Sequence, residues 1–176
     1  MQLSLITRLD RRDRALFLRW VIRASTPVRA RRTWTILTHV GGLWVSVLAV
    51  LVPMVLLSDG AGRDAAAQGA LALALSNLLV QVIKRKVLRD RPSVRVTEDT
   101  FVAEPDRFSF PSGHSCAAMS VAFVYAVAYP WAAWPLLLLS TLVGFSRVRL
   151  GVHFPGDVLA GQAIAIGTGM VVMGLW

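Results

Sequence analysis

The stretch from Phe108 to Ser146 contains no Asp, Glu, Lys or Arg. It is about twice as long as the roughly 20 apolar residues that a helix needs to cross the hydrocarbon core of a bilayer. Its middle, Tyr129–Pro135, reads YPWAAWP. Paired prolines and tryptophans of this kind are typical of a turn at the membrane surface. The stretch therefore predicts two antiparallel transmembrane helices rather than one.

Three other runs without Asp, Glu, Lys or Arg also have membrane-spanning length, and 55% of the chain is hydrophobic against 16% charged. This composition is typical of a membrane protein. In the last run, Gly161, Ala165 and Gly169 recur every four residues, which indicates close helix packing. We predict an all-α polytopic bundle in one domain, residues 1–176, with five spans. These are Trp34–Leu57, Ala65–Leu88, Ser112–Tyr129, Trp131–Arg147 and Pro155–Trp176.

The first 33 residues differ, because they carry nine arginines and only two aspartates. Leu16, Phe17, Trp20 and Val21 fit one face of a helix, and arginines interrupt any continuous apolar run. The pattern predicts an amphipathic helix that lies on the membrane, with no removed signal peptide. The net charge of +9 therefore favours membrane lipids over nucleic acid as partner, since the basic residues adjoin membrane-length runs. No pattern predicts an oligomeric state.

Three polar clusters lie at the ends of the predicted spans. KRKVLRDRP, residues 84–92, ends the second span; PSGH, residues 111–114, opens the third; and SRVRLGVHFPGD, residues 146–157, joins the fourth to the fifth. Because successive spans alternate in direction, all three clusters lie on the same membrane face. Lys84 and Arg91 are seven residues apart, so two helical turns would bring them to one side.

The combined clusters predict a phosphate site. Lys84, Arg91 and Arg147 supply positive charge, and the arginine fork matches phosphate oxygens. Ser112 and Gly113 begin a predicted helix, whose free N–H groups favour an anion. Glycine lets a ligand approach the backbone closely.

Two histidines in these clusters suggest a division of labour. One of His114 and His153 could attack phosphorus while the other protonates the departing oxygen. Asp157 follows His153 by four residues and could orient its ring. The residues alone leave open which histidine attacks. We predict no metal and no cofactor, because the surrounding cations would repel a metal ion.

These residues resemble the type 2 phosphatidic acid phosphatase superfamily, or lipid phosphate phosphatases, whose site is shared with vanadium haloperoxidases and bacterial acid phosphatases. KRKVLRDRP matches the K-x6-R-P motif, PSGH matches the second motif, and SRVRLGVHFPGD matches S-R-x5-H-x3-D. The resemblance covers Lys84 to Asp157. It implies a metal-independent phosphohydrolase with a phosphohistidine intermediate. His153 would be the nucleophile, Asp157 its orienting partner and His114 the general acid. Phosphate would be held by Lys84, Arg91, Ser112, Gly113 and Arg147.

The predicted substrate is a lipid phosphate or diphosphate of the isoprenyl, phosphatidic acid or phosphatidylglycerophosphate class. One alternative is a phosphotransferase that uses the same site. Another is a non-catalytic protein that binds anionic lipid, or a bis-histidine haem protein with ligands among His39, His114 and His153. For His39, beside Gly41 and Gly42, we otherwise expect a buried hydrogen-bonding role.

The sequence also predicts which side of the membrane carries the site. Short basic segments beside a span stay in the cytoplasm, and the N-terminal arginines directly precede the first span. The opposite face has only Arg63 between two aspartates and a hairpin without charged residues. We therefore expect a multi-pass protein of the bacterial inner membrane with its site on the cytoplasmic face, whereas many members of the family have six spans and an outward-facing site.

Overall fold

The computed structural model describes residues 5–58, 60–96, 101–102 and 106–176. Over these residues the chain is helical, with no strand and one isolated bridge between Asp90 and Phe108, which confirms the all-α prediction. A 3-10 turn, Pro130–Ala132, precedes the seventh α-helix. The α-helices are α1 (Leu5–Trp20), α2 (Val28–Val40), α3 (Leu43–Leu56), α4 (Gly60–Val87), α5 (Pro92–Arg95), α6 (Gly113–Ala128), α7 (Ala133–Arg149) and α8 (Pro155–Leu175).

Helix α6 is the centre of the bundle and packs against α4, α7 and α8. The small residues of α8 allow this approach, as the sequence predicted. A Cβ added at Gly161 would lie 2.5 Å from the carbonyl oxygen of Ser112, and one at Gly169 would lie 2.7 Å from the ring of Phe123. Ala165, between them, is fully buried. The start of α6 is therefore held tightly against α8.

The first predicted span, Trp34–Leu57, is wrong as a single helix. Helices α2 and α3 are bent by 49° with respect to each other, and the break lies at Gly41 and Gly42. A Cβ at Gly41 would clash with Val143 and reach 3.0 Å from the carbonyl oxygen of His114. The glycine thus brings the α2–α3 backbone directly against α6 and α7. A straight helix over the whole segment could not make this contact.

The bent pair nevertheless runs from one end of the bundle to the other. Thr38 in α2 contacts Arg147 near the end of α7, whereas Leu57, after α3, accepts a hydrogen bond from Arg63 at the start of α4. By length and composition, three described helices can cross a membrane, or four if the bent pair is one span. The 16-residue α6 falls below that length. The count of five spans therefore stays a prediction.

Helix α1 docks on the protein rather than resting only on a surface. Phe17 is fully buried in a cluster with Val148, Phe154 and Val158. Its ring meets that of Phe154 edge-to-face at 5.3 Å. Phe154 and Val158 flank the start of α8, so α1 lies at the end of the bundle where α7 joins α8. The amphipathic helix is confirmed, but part of its apolar face is used for packing within the chain.

Candidate active site

A cavity of about 210 Å³ lies at the end of the bundle where the three sequence clusters meet. We call it the cationic pocket. Its other lining residues come from α3, α4 and α6, the Gly41 break and the segment before α6. Six of the eight predicted site residues line it: Lys84, Arg91, Gly113, His114, Arg147 and His153. The remaining two, Ser112 and Asp157, are fully buried outside the lining.

Lys84 and Arg91 meet, but not through two turns of one helix. Helix α4 ends at Val87, and Leu88 has a φ of 50°, so the chain leaves the helical path before Arg91. The buried guanidinium of Arg91 donates through Nε to the carbonyl oxygen of Asp106 at 2.7 Å and through Nη1 to that of Val152 at 2.9 Å. Backbone acceptors thus fix its orientation. The prediction of proximity is confirmed and its helical reason is wrong.

Asp106 is a member of the pocket that the sequence did not reveal. Its carboxylate accepts from Lys84 Nζ at 3.0 and 2.7 Å and from Arg91 Nη2 at 2.9 Å. Burial alone would raise the pKa of Asp106, but the bonds and charges of Lys84 and Arg91 outweigh it and hold the pKa below its usual range. The pocket therefore contains an anion of the protein's own at neutral pH.

Arg147 reaches the pocket from the last turn of α7. Its side chain is buried, and Nη1 donates to Thr38 Oγ1 at 2.8 Å. This contact joins α7 to α2, so the bent first segment helps to position a predicted phosphate-binding cation.

His153 lies in the short loop between α7 and α8, after a turn at Gly151 with φ 83°. Its Nε2 is 3.3 Å from Arg91 Nη1, and its Nδ1 is 3.6 Å from Asp157 Oδ2. The latter distance is longer than a hydrogen bond, although such pairs often tighten only when substrate is bound. Burial, followed by the charges of Arg91 and Arg147, holds the pKa of His153 well below its usual range. A neutral imidazole with one nitrogen toward the cations can act as a nucleophile.

The start of α6 supplies His114 and one buried backbone connection to the third cluster. Ser112 donates its N–H to the carbonyl oxygen of Asp157 at 2.9 Å, which joins the second cluster to the third. Its hydroxyl has no hydrogen-bond partner among the residues that the structure describes. A Cβ at Gly113 would meet nothing within 4 Å. Because Gly113 lines the pocket, that open space belongs to the cavity.

Comparison with known proteins identifies the family. Residues 65–176 match the model of the PAP2 superfamily. The chain belongs to the PAP2 superfamily. The chain is 36% identical over 76 residues to the undecaprenyl-diphosphatase BcrC of Bacillus subtilis, covering 43% of this chain and 39% of that protein. It is 33% identical over 102 residues to the decaprenylphosphoryl-5-phosphoribose phosphatase of Mycobacterium tuberculosis, covering 56% and 54%. It thus spans about half or less of these two curated relatives.

Two solved structures, one of them a transmembrane PAP2-type phosphatase, superpose on most of this chain. The phosphatidylglycerolphosphate phosphatase of Bacillus subtilis superposes with a TM-score of 0.74 at 25% identity, covering 96% of this chain and 86% of that one. LpxE of Aquifex aeolicus gives 0.73 at 25% identity, covering 85% and 88%. Together with exposed apolar side chains such as Trp44, Leu56 and Leu159 on the outer helix surfaces, this likeness indicates an integral membrane protein.

Arg89, which is not one of the residues that define the PAP2 motifs, binds the buried carboxylate of Asp157 directly. Arg89 Nη1 donates to Asp157 Oδ1 at 2.6 Å, and Nη2 donates to Asp13 at 2.7 Å and to Asp10 at 3.0 Å. Asp13 also accepts the N–H of Gly156 at 2.7 Å. Burial would lower the pKa of Arg89, but Asp157 and Asp13 outweigh it and raise the pKa. Helix α1 thus contacts Asp157 through one intervening side chain.

The scarcity of acidic residues in this PAP2 chain could have indicated that Asp10 and Asp13 pair with a basic side chain. The chain has only ten acidic residues, and Asp10 and Asp13 are the only ones among the first 33. Scarce acids in a basic chain are candidates for buried pairing. His39 gives the opposite result, because it is exposed and does not line the pocket that His114 and His153 share. The expectation of a buried role for His39 is wrong.

Proposed function

We propose that this chain is a membrane phosphohydrolase that removes phosphate from a lipid phosphate or diphosphate through a phosphohistidine at His153. The observation that carries the proposal is the cationic pocket, where two histidines share one cavity with Lys84, Arg91 and Arg147. The names of the relatives support the substrate class, because each names a phosphatase or diphosphatase of a lipid. Isoprenyl phosphates or diphosphates, phosphatidic acid and phosphatidylglycerophosphate are the candidates.

The proposed first step is attack on phosphorus. The three cations and the N–H groups at the start of α6 hold the phosphate oxygens and stabilise the charge that develops on them. Asp157 keeps the proton of His153 on Nδ1, so the Nε2 lone pair forms the N–P bond. The P–O bond to the lipid breaks at the same phosphorus. His114 gives its proton to the departing oxygen.

The second step regenerates the enzyme. His114, now neutral, takes a proton from a water molecule as the water oxygen bonds to phosphorus. The N–P bond breaks, inorganic phosphate leaves, and His153 recovers its lone pair. Ser112 has a predicted role in holding phosphate, and its unpartnered hydroxyl would serve this role after a small shift of the start of α6. Among the described residues no group of three His, Cys, Asp or Glu could hold a metal ion, and the metal-free mechanism stays a prediction.

Purified protein assayed on a panel of lipid phosphates tests the proposal. We expect phosphate release from at least one of them, lost by several orders of magnitude in His153→Ala, because removal of a nucleophile has effects of this size. His39→Ala is the matched control, since His39 is exposed and outside the pocket. Labelled donor with excess acceptor lipid separates hydrolysis from phosphotransfer. The proposal fails if no lipid phosphate is hydrolysed or if His153→Ala retains activity.

We further propose that the pocket faces the cytoplasm. Support comes from α1, which is rich in arginine and packs at the same end of the bundle as the pocket through Phe17 and Arg89. A positive-inside bias on α1 is therefore a bias on the pocket. In a Cys116→Ala background, Val94→Cys is exposed near the pocket, and Trp131→Cys is exposed in the hairpin at the opposite end. An impermeant maleimide on intact cells should label only Trp131→Cys, and the reverse pattern would contradict the proposal.

A further inference from the structure

The carboxylate of Asp106 binds Lys84 and Arg91, the two cations that are the strongest candidates for phosphate binding. Lys84 is 5% exposed and Arg91 is 1% exposed, so neither can turn to another anion in solvent. Both direct their N–H groups at the Asp106 carboxylate, which itself remains 36% exposed at the pocket. The geometry is that of an anion resting in an anion site.

The carboxylate is not needed to hold these cations in place. Arg91 also donates to the backbone carbonyls of Asp106 and Val152. Lys84 also donates to the backbone carbonyl of Phe108 at 3.1 Å. These acceptors belong to the main chain and persist when the Asp106 side chain is changed. What the side chain adds is negative charge, on a group accessible enough to move away.

We propose that Asp106 is a built-in competitor that a substrate phosphate displaces from Lys84 and Arg91, and that it thereby keeps the pocket free of phosphodiester headgroups, which bind these cations no more strongly than a carboxylate does. This inference rests on the proposed function, because it concerns which phosphate groups enter the same pocket. A terminal phosphate carries about −1.5 to −2 charges and three free oxygens at neutral pH. A phosphodiester carries one charge and two free oxygens.

The exclusion of phosphodiesters follows from the exchange of one anion for another. When a phosphodiester replaces Asp106, one singly charged anion replaces another, and the two cations gain little. When a terminal phosphate replaces it, the cations gain charge and an additional acceptor. Membranes are rich in phosphodiester lipids, which the proposed hydrolysis could not use, so these lipids would otherwise fill the pocket unproductively. The depressed pKa of Asp106 keeps the competitor charged throughout the neutral range.

Asp106→Asn removes the charge while it keeps the size of the side chain and the backbone carbonyl. The test measures binding of inorganic phosphate and of dimethyl phosphate to purified protein by thermal stabilisation, which follows from ligand concentration and affinity. In the parent protein we expect phosphate to stabilise and dimethyl phosphate to have no effect. In Asp106→Asn we expect dimethyl phosphate to bind at least about 10-fold more tightly, since a charged hydrogen-bonded competitor has been removed. Phosphate should gain affinity by a similar factor, because the same competitor has been removed for both ligands.

Asp64→Asn, which replaces an exposed acid at the other end of α4, is the matched control and should keep the parent affinities for both ligands. Asp106→Ala, which retains the same carbonyl, gives a second reading if Asp106→Asn folds poorly. The inference is overturned if both variants bind phosphate more weakly without gaining dimethyl phosphate, because Asp106 would then hold the cations in place. It is also overturned if neither variant binds dimethyl phosphate more tightly than the parent protein does. Binding requires no turnover, so absence of lipid hydrolysis would count against the proposed function alone.

Discussion

Replacement of Arg89 by methionine should separate the positioning of Asp157 from the binding of substrate. Arg89 Nη1 donates to Asp157 Oδ1 at 2.6 Å, and the Asp157 side chain is completely buried. Only 17% of the Arg89 side chain is exposed, so water cannot fully replace the guanidinium. Methionine keeps much of the apolar stem that lies against Phe154, where Arg89 now sits 4.3 Å from the ring centroid.

The size of the effect follows from the lost contact. A hydrogen bond to a charged group contributes about 1.5–3 kcal/mol, and about 1.4 kcal/mol corresponds to a tenfold change in rate. If that contact holds Asp157 toward His153, kcat should fall about 10- to 150-fold. KM should hardly change, because Arg89 does not line the cationic pocket. The free energy of unfolding should also fall, by at most about 3–5 kcal/mol, because a buried carboxylate loses its partner.

Steady-state kinetics on a hydrolysed lipid phosphate, in detergent, give kcat and KM separately. Arg85→Met is the matched control, because Arg85 is exposed in the last turn of α4 and should retain parent kinetics. Asp13→Asn should give a smaller fall in kcat, since it removes one of the two acids that hold Arg89 Nη2. A rise in KM at constant kcat, or a change in kcat below twofold, would show that Arg89 does not position Asp157.

Three other predictions concern the pocket directly. Gly113→Ala should keep the thermal stability, because its Cβ meets no protein atom within 4 Å. It should raise the inhibition constant of inorganic phosphate about tenfold or more, since the methyl group occupies space that the ligand needs, and an unchanged inhibition constant would argue against the site. His114→Ala should lose about 10²- to 10⁴-fold on a lipid phosphate and much less on a nitrophenyl phosphate, whose leaving group needs no proton; equal losses measured on both would remove His114 from the acid role. Activity should survive EDTA and be inhibited by vanadate, which mimics phosphorus under attack, and an assay restored only by magnesium would contradict the mechanism.

The sequence predicted the parts of the site that local pattern and topology specify. Helix ends beside charge-free runs put Lys84, His114 and His153 at one end of the bundle, and these three residues do line one cavity. The four-residue spacing of Gly161, Ala165 and Gly169 likewise predicted a contact that the structure confirms. Each of these inferences needs only the period of a helix and the length of a span.

Side-chain contacts between segments that are distant in sequence could not be predicted from helical periodicity or span length. Arg89 and Asp13 are 76 residues apart, and no periodicity connects them. Asp106 precedes α6 in a segment without helical pattern, so nothing local indicated that its carboxylate would face Lys84. The bend at Gly41 and Gly42 was readable in principle, but the uninterrupted apolar run favoured one helix. The bend is required because the backbone at Gly41 packs directly against α6 and α7. That contact depends on tertiary packing, which the local sequence does not reveal.

The contact between α1 and the start of α8 has a consequence for how the protein is made. Asp13 and Gly156 are 143 residues apart, and a ribosome adds about 5–20 residues per second. Asp13 is therefore synthesised roughly 7–30 seconds before its partner exists. During that time the arginines of α1 can keep it at the lipid headgroups, with Phe17 still without its protein neighbours. Docking of α1 is thus a late event in assembly, and protection of Phe17 from solvent would report that α8 has been inserted.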